Sequence, residues 1–379
     1  MAFDLLELRD EWNLDWSIHH VNHGSFGAVP RIGRIAQQEW QLRAQQNPVG
    51  YFMREAMAAV SDARMHIARF LHVQSDDIAL VRNSTEAVST VLRGFPFNSG
   101  DDIVVFDQEY GAVILAAERA ASLTGARVVQ VAVPLTFSDD EILGAFASAI
   151  TEQTRMLIVD HVTSMTARVM PIQRLAQMCR EQGIVCVVDA SHTPGNFDAP
   201  LANLDVDFWF GNLHKWACAP IATGVLYVSP QWRQSLPTII TSWQDLEPFP
   251  ISHDMLGTVD YSAWLATPAV LDFIAEHGWP RWRAATKERA AYGATVVMSA
   301  LGMSEDAMNL EVPMALVPLG LAGGRSEAFA LQTALAEQCR VEAAITTFAD
   351  ELFVRISGQI YNEEEDYHAL ATGLVTLIA

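Results

Sequence analysis

Between about residues 31 and 230 one pattern repeats along the chain: an amphipathic, helix-like stretch, a short run of β-branched and apolar residues, then a polar cluster. The runs at 77–81, 103–106, 128–132, 156–159 and 184–188 read as strands, and a further one spans 206–210. A strand wetted on one face would alternate, whereas these runs are almost continuously apolar and so require burial on both faces. A mostly parallel sheet with helices on either side meets that requirement. Such sheets bind ligands beyond the carboxyl ends of their strands. The polar clusters 83–85, 107–110, 160–164 and 189–192 each follow a run directly, and a site is expected among them.

The chain has 379 residues, 50% of them hydrophobic and 18% charged, which suits about two buried domains at roughly 100–200 residues each. The stretch 231–262 is less periodic and richer in Pro and Trp, and reads as a crossing between them. Beyond it, a helix over about 270–301, strands near 309–317, 341–347 and 352–357, and helices over about 325–338 and 363–378 predict a smaller α+β domain. The expected division is a large domain at 17–255 and a small C-terminal one at 256–379 that also takes in 1–16.

Charge narrows the partners. With 24 Lys+Arg against 45 Asp+Glu the net charge is −21, and the basic residues form no run. Phosphate backbones and anionic membrane surfaces both need clustered cations, so neither nucleic acid nor a membrane is an expected partner. No stretch approaches the ~18 apolar residues of a membrane span. The start, Met1-Ala2-Phe3-Asp4-Leu5-Leu6-Glu7, lacks the basic and apolar regions of a signal peptide. Cys179, Cys186, Cys218 and Cys339 show no CxxC spacing, and a reduced, cytoplasmic protein is expected.

Nearly all the basic residues are arginine, and Lys215 and Lys287 are the only lysines. Lys287 lies on a charged helical face, where solvation explains it. Lys215 lies in Phe210-Gly211-Asn212-Leu213-His214-Lys215-Trp216, an aromatic, weakly charged segment after an apolar run. Desolvation there favours a nucleophilic amine able to form a Schiff base; the alternative is a lysine whose stem is covered while its head reaches water. Asp189 ends the strongest run, where taken alone it reads first as a turn former or helix cap, with a partner for a cationic ring nitrogen as the alternative. Asn83-Ser84-Thr85-Glu86-Ala87 opens a helix whose first N–H groups and hydroxyls suit a phosphate, or serve as a plain N-cap with Glu86 on the dipole. His19, His20 and His23 cluster without cysteine or acidic partners or an HExxH spacing, so no metal is expected there. GxSxG and GxxxxGK[ST] are absent, which removes two common hydrolase and nucleotide readings.

A phosphate-type helix start, a strand-end Asp and a Schiff-base lysine are together the parts of a pyridoxal-phosphate (PLP) enzyme. Val21-Asn22-His23-Gly24-Ser25-Phe26-Gly27 and Val188-Asp189-Ala190-Ser191-His192-Thr193-Pro194-Gly195 are the most specific motifs. Gly211-Asn212-Leu213-His214-Lys215-Trp216 and Val354-Arg355-Ile356-Ser357-Gly358-Gln359-Ile360-Tyr361-Asn362 complete the set. On these the chain resembles, over nearly its whole length, the class V aminotransferase family, in particular its isopenicillin N epimerase-like members. The resemblance implies the PLP-dependent transferase fold type I: an α/β large domain with a mostly parallel, seven-stranded-type sheet between helices, and a smaller α+β domain.

It also implies roles. Lys215 would carry the cofactor and move the Cα proton, Asp189 would pair with the pyridine nitrogen, and His192 would meet the phenolic oxygen or ring edge. Tyr110 falls where the family stacks a ring on the pyridine. Ser84, Thr85 and Glu86 would meet the phosphate largely through backbone N–H groups, with Asn212 and His214 adding donors. Thr258 matches a position that reaches a neighbouring subunit's phosphate, which implies a homodimer. Ser164 would bond near the phenolic oxygen, and Asn22 with Arg355, beside His23, would hold the carboxylate of an amino-acid substrate. Epimerisation or transamination leads among the implied outcomes, with C–S lysis or desulfurase-like β-elimination as the alternative and a catalytically inactive binding protein last. Desulfurases of the family carry a loop cysteine shortly before the carboxylate-binding arginine; here Cys339 precedes the run 341–347 and no cysteine stands between that run and Arg355.

Overall fold

The computed structural model describes residues 3–197, 201–303 and 310–378. Contacts divide the chain into two compact units, Gly33–Ser164 with Met170–Leu271, and Met1–Ile32 with Met165–Val169 and Asp272–Ala379.

The larger unit is built on β1 (Ile78–Val81), β2 (Asp102–Phe106), β3 (Arg127–Val131), β4 (Thr154–Asp160), β5 (Val185–Asp189), β6 (Phe208–Asn212) and β7 (Gly224–Val228). They form one sheet in the order β1-β7-β6-β5-β4-β2-β3, parallel from β6 to β3, with β7 antiparallel to both its neighbours. Every residue of β1, β2, β5 and β6 is buried, as unbroken apolarity demands. Edge strand β3 instead exposes Arg127 and Gln130, which discourages further pairing. The expected strands all appear. β7 is an addition, because its connection from β6 holds no helix and so breaks the alternating pattern that revealed the others.

Helices Ser84–Gly94, Gly111–Thr124, Asp139–Ala149 and Ile172–Gln182 connect successive strands. Ser138 and Glu141 form a reciprocal capping box at the third of these. Val88, Val91 and Ala117 from the helices pack with Ile103, Val105, Ile158, Val187, Phe210 and Leu226 from the strands. Full burial of each large aliphatic or aromatic side chain contributes about 1.5–3 kcal/mol, so this layer holds the strand ends rigidly.

Gly195 shows how tightly the loop after β5 is packed. Its φ is +95°, and a Cβ there would lie 2.5 Å from the Trp216 carbonyl oxygen. Gly195→Ala is expected to destabilise the protein by about 2–5 kcal/mol, from backbone strain and overpacking together. A urea midpoint equal to that of the wild type would remove this packing role.

In the smaller unit, β8 (Met314–Ala322), β9 (Ala344–Phe348) and β10 (Glu351–Ser357) form an antiparallel sheet in the order β9-β10-β8. Val297, Leu335, Val354, Ile356, Tyr367 and Leu370 join this sheet to helices Trp279–Ala300, Arg325–Cys339 and Glu364–Ile378. The strand expected near 309–317 is β8; residue 309 lies outside the described residues. The single helix expected over 270–301 is two, Ser262–His277 and Trp279–Ala300, broken at Gly278, where φ is +87°. Among the described residues no helix is long and apolar enough to cross a membrane.

Candidate active site

The turn after β6 carries Lys215, half-buried, with Nζ 3.1 Å from Nε2 of His192. His192 follows the end of β5 and is fully buried. The indole N–H of Trp216 donates to His192 Nδ1 at 3.1 Å. Nδ1 is therefore an acceptor, and with the Lys215 amine uncharged a neutral His192 carries its proton on Nε2 and donates it to that amine. Trp216 was not singled out from sequence as a functional residue. Its place directly after Lys215, and the need of a buried indole N–H for a partner, were the available signals.

Asp189 closes β5 and is 1% exposed. Its Oδ1 accepts the N–H of Ser191 at 2.8 Å and the hydroxyl of Ser191 at 2.5 Å, while Oδ2 has no partner among the described residues. Leaving a buried polar atom unpaired costs on the order of 1–3 kcal/mol, and more for a charged one, so Oδ2 is open to a further donor. Ser191 Oγ also lies 2.8 Å from Ser84 Oγ, and the Ser84 N–H donates to Asn212 Oδ1 at 3.0 Å. One network thus ties the end of β5, the end of β6 and the start of helix Ser84–Gly94.

Two more carboxylates meet Asp189. Asp160 ends β4 directly in register with it, and Glu109 lies in the turn after β2. Carboxylate oxygens of the three lie within 4.8 Å of one another, and Glu109 and Asp160 are 1% and 3% exposed. At about 5 Å and an effective dielectric constant of about 20, each pair of like charges repels by about 3 kcal/mol. Burial, and then the neighbouring carboxylates, hold Glu109 and Asp160 well above the usual carboxylate range. Burial raises Asp189 as well, but the two Ser191 donors and the charge of Lys215 pull it back. Sequence reading placed Glu109 and Asp160 in the polar clusters without assigning either; their convergence follows from strand order, which a linear pattern does not give.

At the helix start Asn83 accepts the Glu86 N–H at 2.9 Å, and the Glu86 carboxylate takes the N–H and the Nε–H of Arg82 at 2.8 and 2.9 Å. Ser84 and Glu86 therefore spend their N–H groups inside the protein. The Thr85 hydroxyl, exposed beside them, enters no hydrogen bond among the described residues. His214 Nδ1 pairs with the Thr223 carbonyl at 2.9 Å, and burial lowers its pKa. Tyr110 is 46% exposed, and its N–H donates to Glu109 Oε1 at 3.1 Å. Ser164 is half-buried after β4, and Thr258 is exposed.

The smaller unit assembles a second group. Arg355, on β10, is 3% exposed, and its Nη2 donates to Asn22 Oδ1 at 3.2 Å and to Ser25 Oγ at 2.9 Å. Burial pushes the guanidinium down to about 10, so it remains a cation at neutral pH. His23 bridges Tyr361 Oη at 3.0 Å and Gln359 Nε2 at 3.1 Å. The Ser357 N–H to Val21 carbonyl bond, at 2.9 Å, ties this N-terminal segment to β10. His19 and His20 turn to other partners, Asp366 Oδ1 and the Asp15 carbonyl.

A buried strand-end carboxylate with one free oxygen, and a lysine on the next strand's loop beside a histidine, form a candidate site at the carboxyl edge of a doubly covered sheet. The family model for aminotransferase class-V matches residues 36–370. The chain belongs to the class V aminotransferase family, a family of PLP-dependent enzymes. It is 30% identical over 392 residues to a probable chloroplastic L-cysteine desulfhydrase of Arabidopsis thaliana, covering 94% of this chain and 82% of that one. It is equally 30% identical over 394 residues to isopenicillin N epimerase of Streptomyces clavuligerus, covering 99% and 98%. Its fold matches a C-DES mutant with glycine covalently linked to the PLP cofactor, with a TM-score of 0.81 at 20% identity over 97% and 98% of the two chains. A cysteine desulfurase from Escherichia coli gives 0.78 at 19% identity over 100% and 99%.

Proposed function

We propose that the protein uses PLP to act at the α-carbon of an amino acid, with epimerisation or transamination as the leading outcome and β-elimination of a sulfur substituent as the second. The observation that carries this reading is the free, buried Oδ2 of Asp189, which suits a protonated ring nitrogen. The bound cofactor supplies an electron sink for the pair released when the Cα–H bond breaks. Asp189 holds the ring nitrogen protonated, which keeps that sink effective. The Lys215 amine takes the Cα proton and returns it, and His192, its tautomer set by Trp216, offers Nε2–H beside that amine. Thr85 and His214 are assigned to the phosphate with Ser84, Glu86 and Asn212 framing it, Tyr110 to the ring face and Ser164 to the phenolic oxygen. Arg355, held by Asn22 and Ser25 beside His23, receives the substrate carboxylate.

The second outcome is retained because the desulfhydrase and the epimerase resemble the chain to the same 30%. Both begin with loss of the same proton. We read the exposed Thr258 as the group that reaches a partner subunit's phosphate in a homodimer, and the four cysteines, which form no disulfide, as fitting a reduced cytoplasm. Incubating the holoenzyme with a panel of L-amino acids in deuterated water tests the reading. Deuterium is expected at Cα of at least one substrate, with loss of chirality for an epimerase and release of pyruvate and ammonia for a lyase. No exchange with any member of the panel would sink the proposal.

A further inference from the structure

We propose that Glu109 and Asp160 form a proton-bearing carboxyl pair, a positioning device behind the site that leaves Asp189 as the single anion at the strand ends. The fold makes the pair unavoidable. Parallel strands β4 and β5 place Asp160 and Asp189 in register, and β2, on the other side of β4, brings in the turn of Glu109.

Donors are distributed unevenly over the three. Asp189 Oδ1 receives two from Ser191, and Glu109 Oε1 receives the Tyr110 N–H. Glu109 Oε2 and Asp160 Oδ2 are buried and receive none when both groups are drawn as carboxylates. A carboxyl O–H on each, directed at the other's second oxygen, gives both orphan oxygens a bond, which two anions cannot make. Charge balance agrees. Among the described residues Lys215 is the cation whose field bears on both Asp160 and Asp189, and His192 beside it has Nδ1 occupied by Trp216. A single cation, whether this lysine or a protonated ring, balances a single anion.

Protonation of the pair also decides which ligand the cluster prefers. With all three carboxylates ionised, their oxygens would make a compact set of hard donors suited to a divalent cation. With two of them neutral, the remaining carboxylate oxygen suits a flat, singly charged N–H donor. This consequence rests on the proposed use of PLP, whereas the proton-bearing pair is a property of the chain itself.

Infrared spectroscopy of the protein tests the pair without reference to turnover. At pH 8 Asp254, a buried acid outside the cluster that burial pushes up to about 6, is ionised. A protonated-carboxyl C=O band that shifts in deuterated water is expected to persist there in the wild type and in Asp189→Asn, and to vanish in the double variant Glu109→Gln with Asp160→Asn. Added magnesium should leave it in place. PLP titration should show Asp189→Asn weakened by about 100-fold, and the double amide variant retaining nearly the wild-type affinity. No band in the wild type, a band that survives in the double variant, its loss on stoichiometric magnesium binding, or a double variant as weak as Asp189→Asn each overturns the proposal. Should the double variant not fold, the wild-type band and its indifference to magnesium still decide. If no form of the protein binds PLP, the proposed function fails and the infrared result stands by itself.

Discussion

Lys215→Ala is expected to lower turnover by on the order of 10⁴-fold or more, because it removes both the attachment point of the cofactor and the group that moves the proton. The visible absorbance that PLP acquires on binding should disappear with it. Lys287, on the charged helix Trp279–Ala300, has no such role, and Lys287→Ala should preserve both properties. Reduction of the wild-type holoenzyme with borohydride, followed by peptide mapping, should place the trapped cofactor on the Lys215 peptide. Recovery of the label on Lys287, or an unchanged absorbance in Lys215→Ala, would falsify the assignment. Since these are the chain's only lysines, the labelling result is unambiguous.

Asp189→Asn should bind the cofactor more weakly by about 3 kcal/mol, or on the order of 100-fold, the usual penalty for removing one member of a buried, hydrogen-bonded charge pair. The substitution is nearly isosteric, so the Ser191 and Ser84 contacts have an acceptor in place and the fold should be retained. Turnover should fall further than binding, because an amide does not keep the ring nitrogen protonated. Equilibrium titration combined with single-turnover rates separates these two losses. A variant with wild-type affinity and rate would remove Asp189 from the ring nitrogen.

Much of this arrangement is legible in the sequence, for a physical reason: strands buried on both faces must be apolar along their whole length, and their ends must then turn polar. That contrast located β1 to β6 and the clusters holding Ser84, Asp189 and Asp160 before any coordinates. It did not reveal β7, whose connection from β6 replaces the expected helix with the loop that holds Lys215. The Asn83 cap on the Glu86 N–H is local and is one of the two readings that segment offers, but nothing in the sequence signals that Asn212 occupies the Ser84 N–H, because that bond joins residues 128 positions apart. Nor did it join Glu109 to Asp160 and Asp189. Their adjacency comes from the order β5-β4-β2, in which strands separated in the chain become neighbours.

The same strand order has a consequence for synthesis of the chain. β1, the first strand of the large sheet to be made, has β7 as its sole partner there, and β7 ends at Val228. At about 5–20 residues per second, the ribosome needs on the order of ten seconds to reach β7 after releasing β1. For that interval an apolar strand has no edge to pair with, which makes the nascent chain a natural client for chaperones. The sheet is completed by a strand made after the loop carrying Lys215, so the lysine is in place before the strand that closes the sheet around it has been translated.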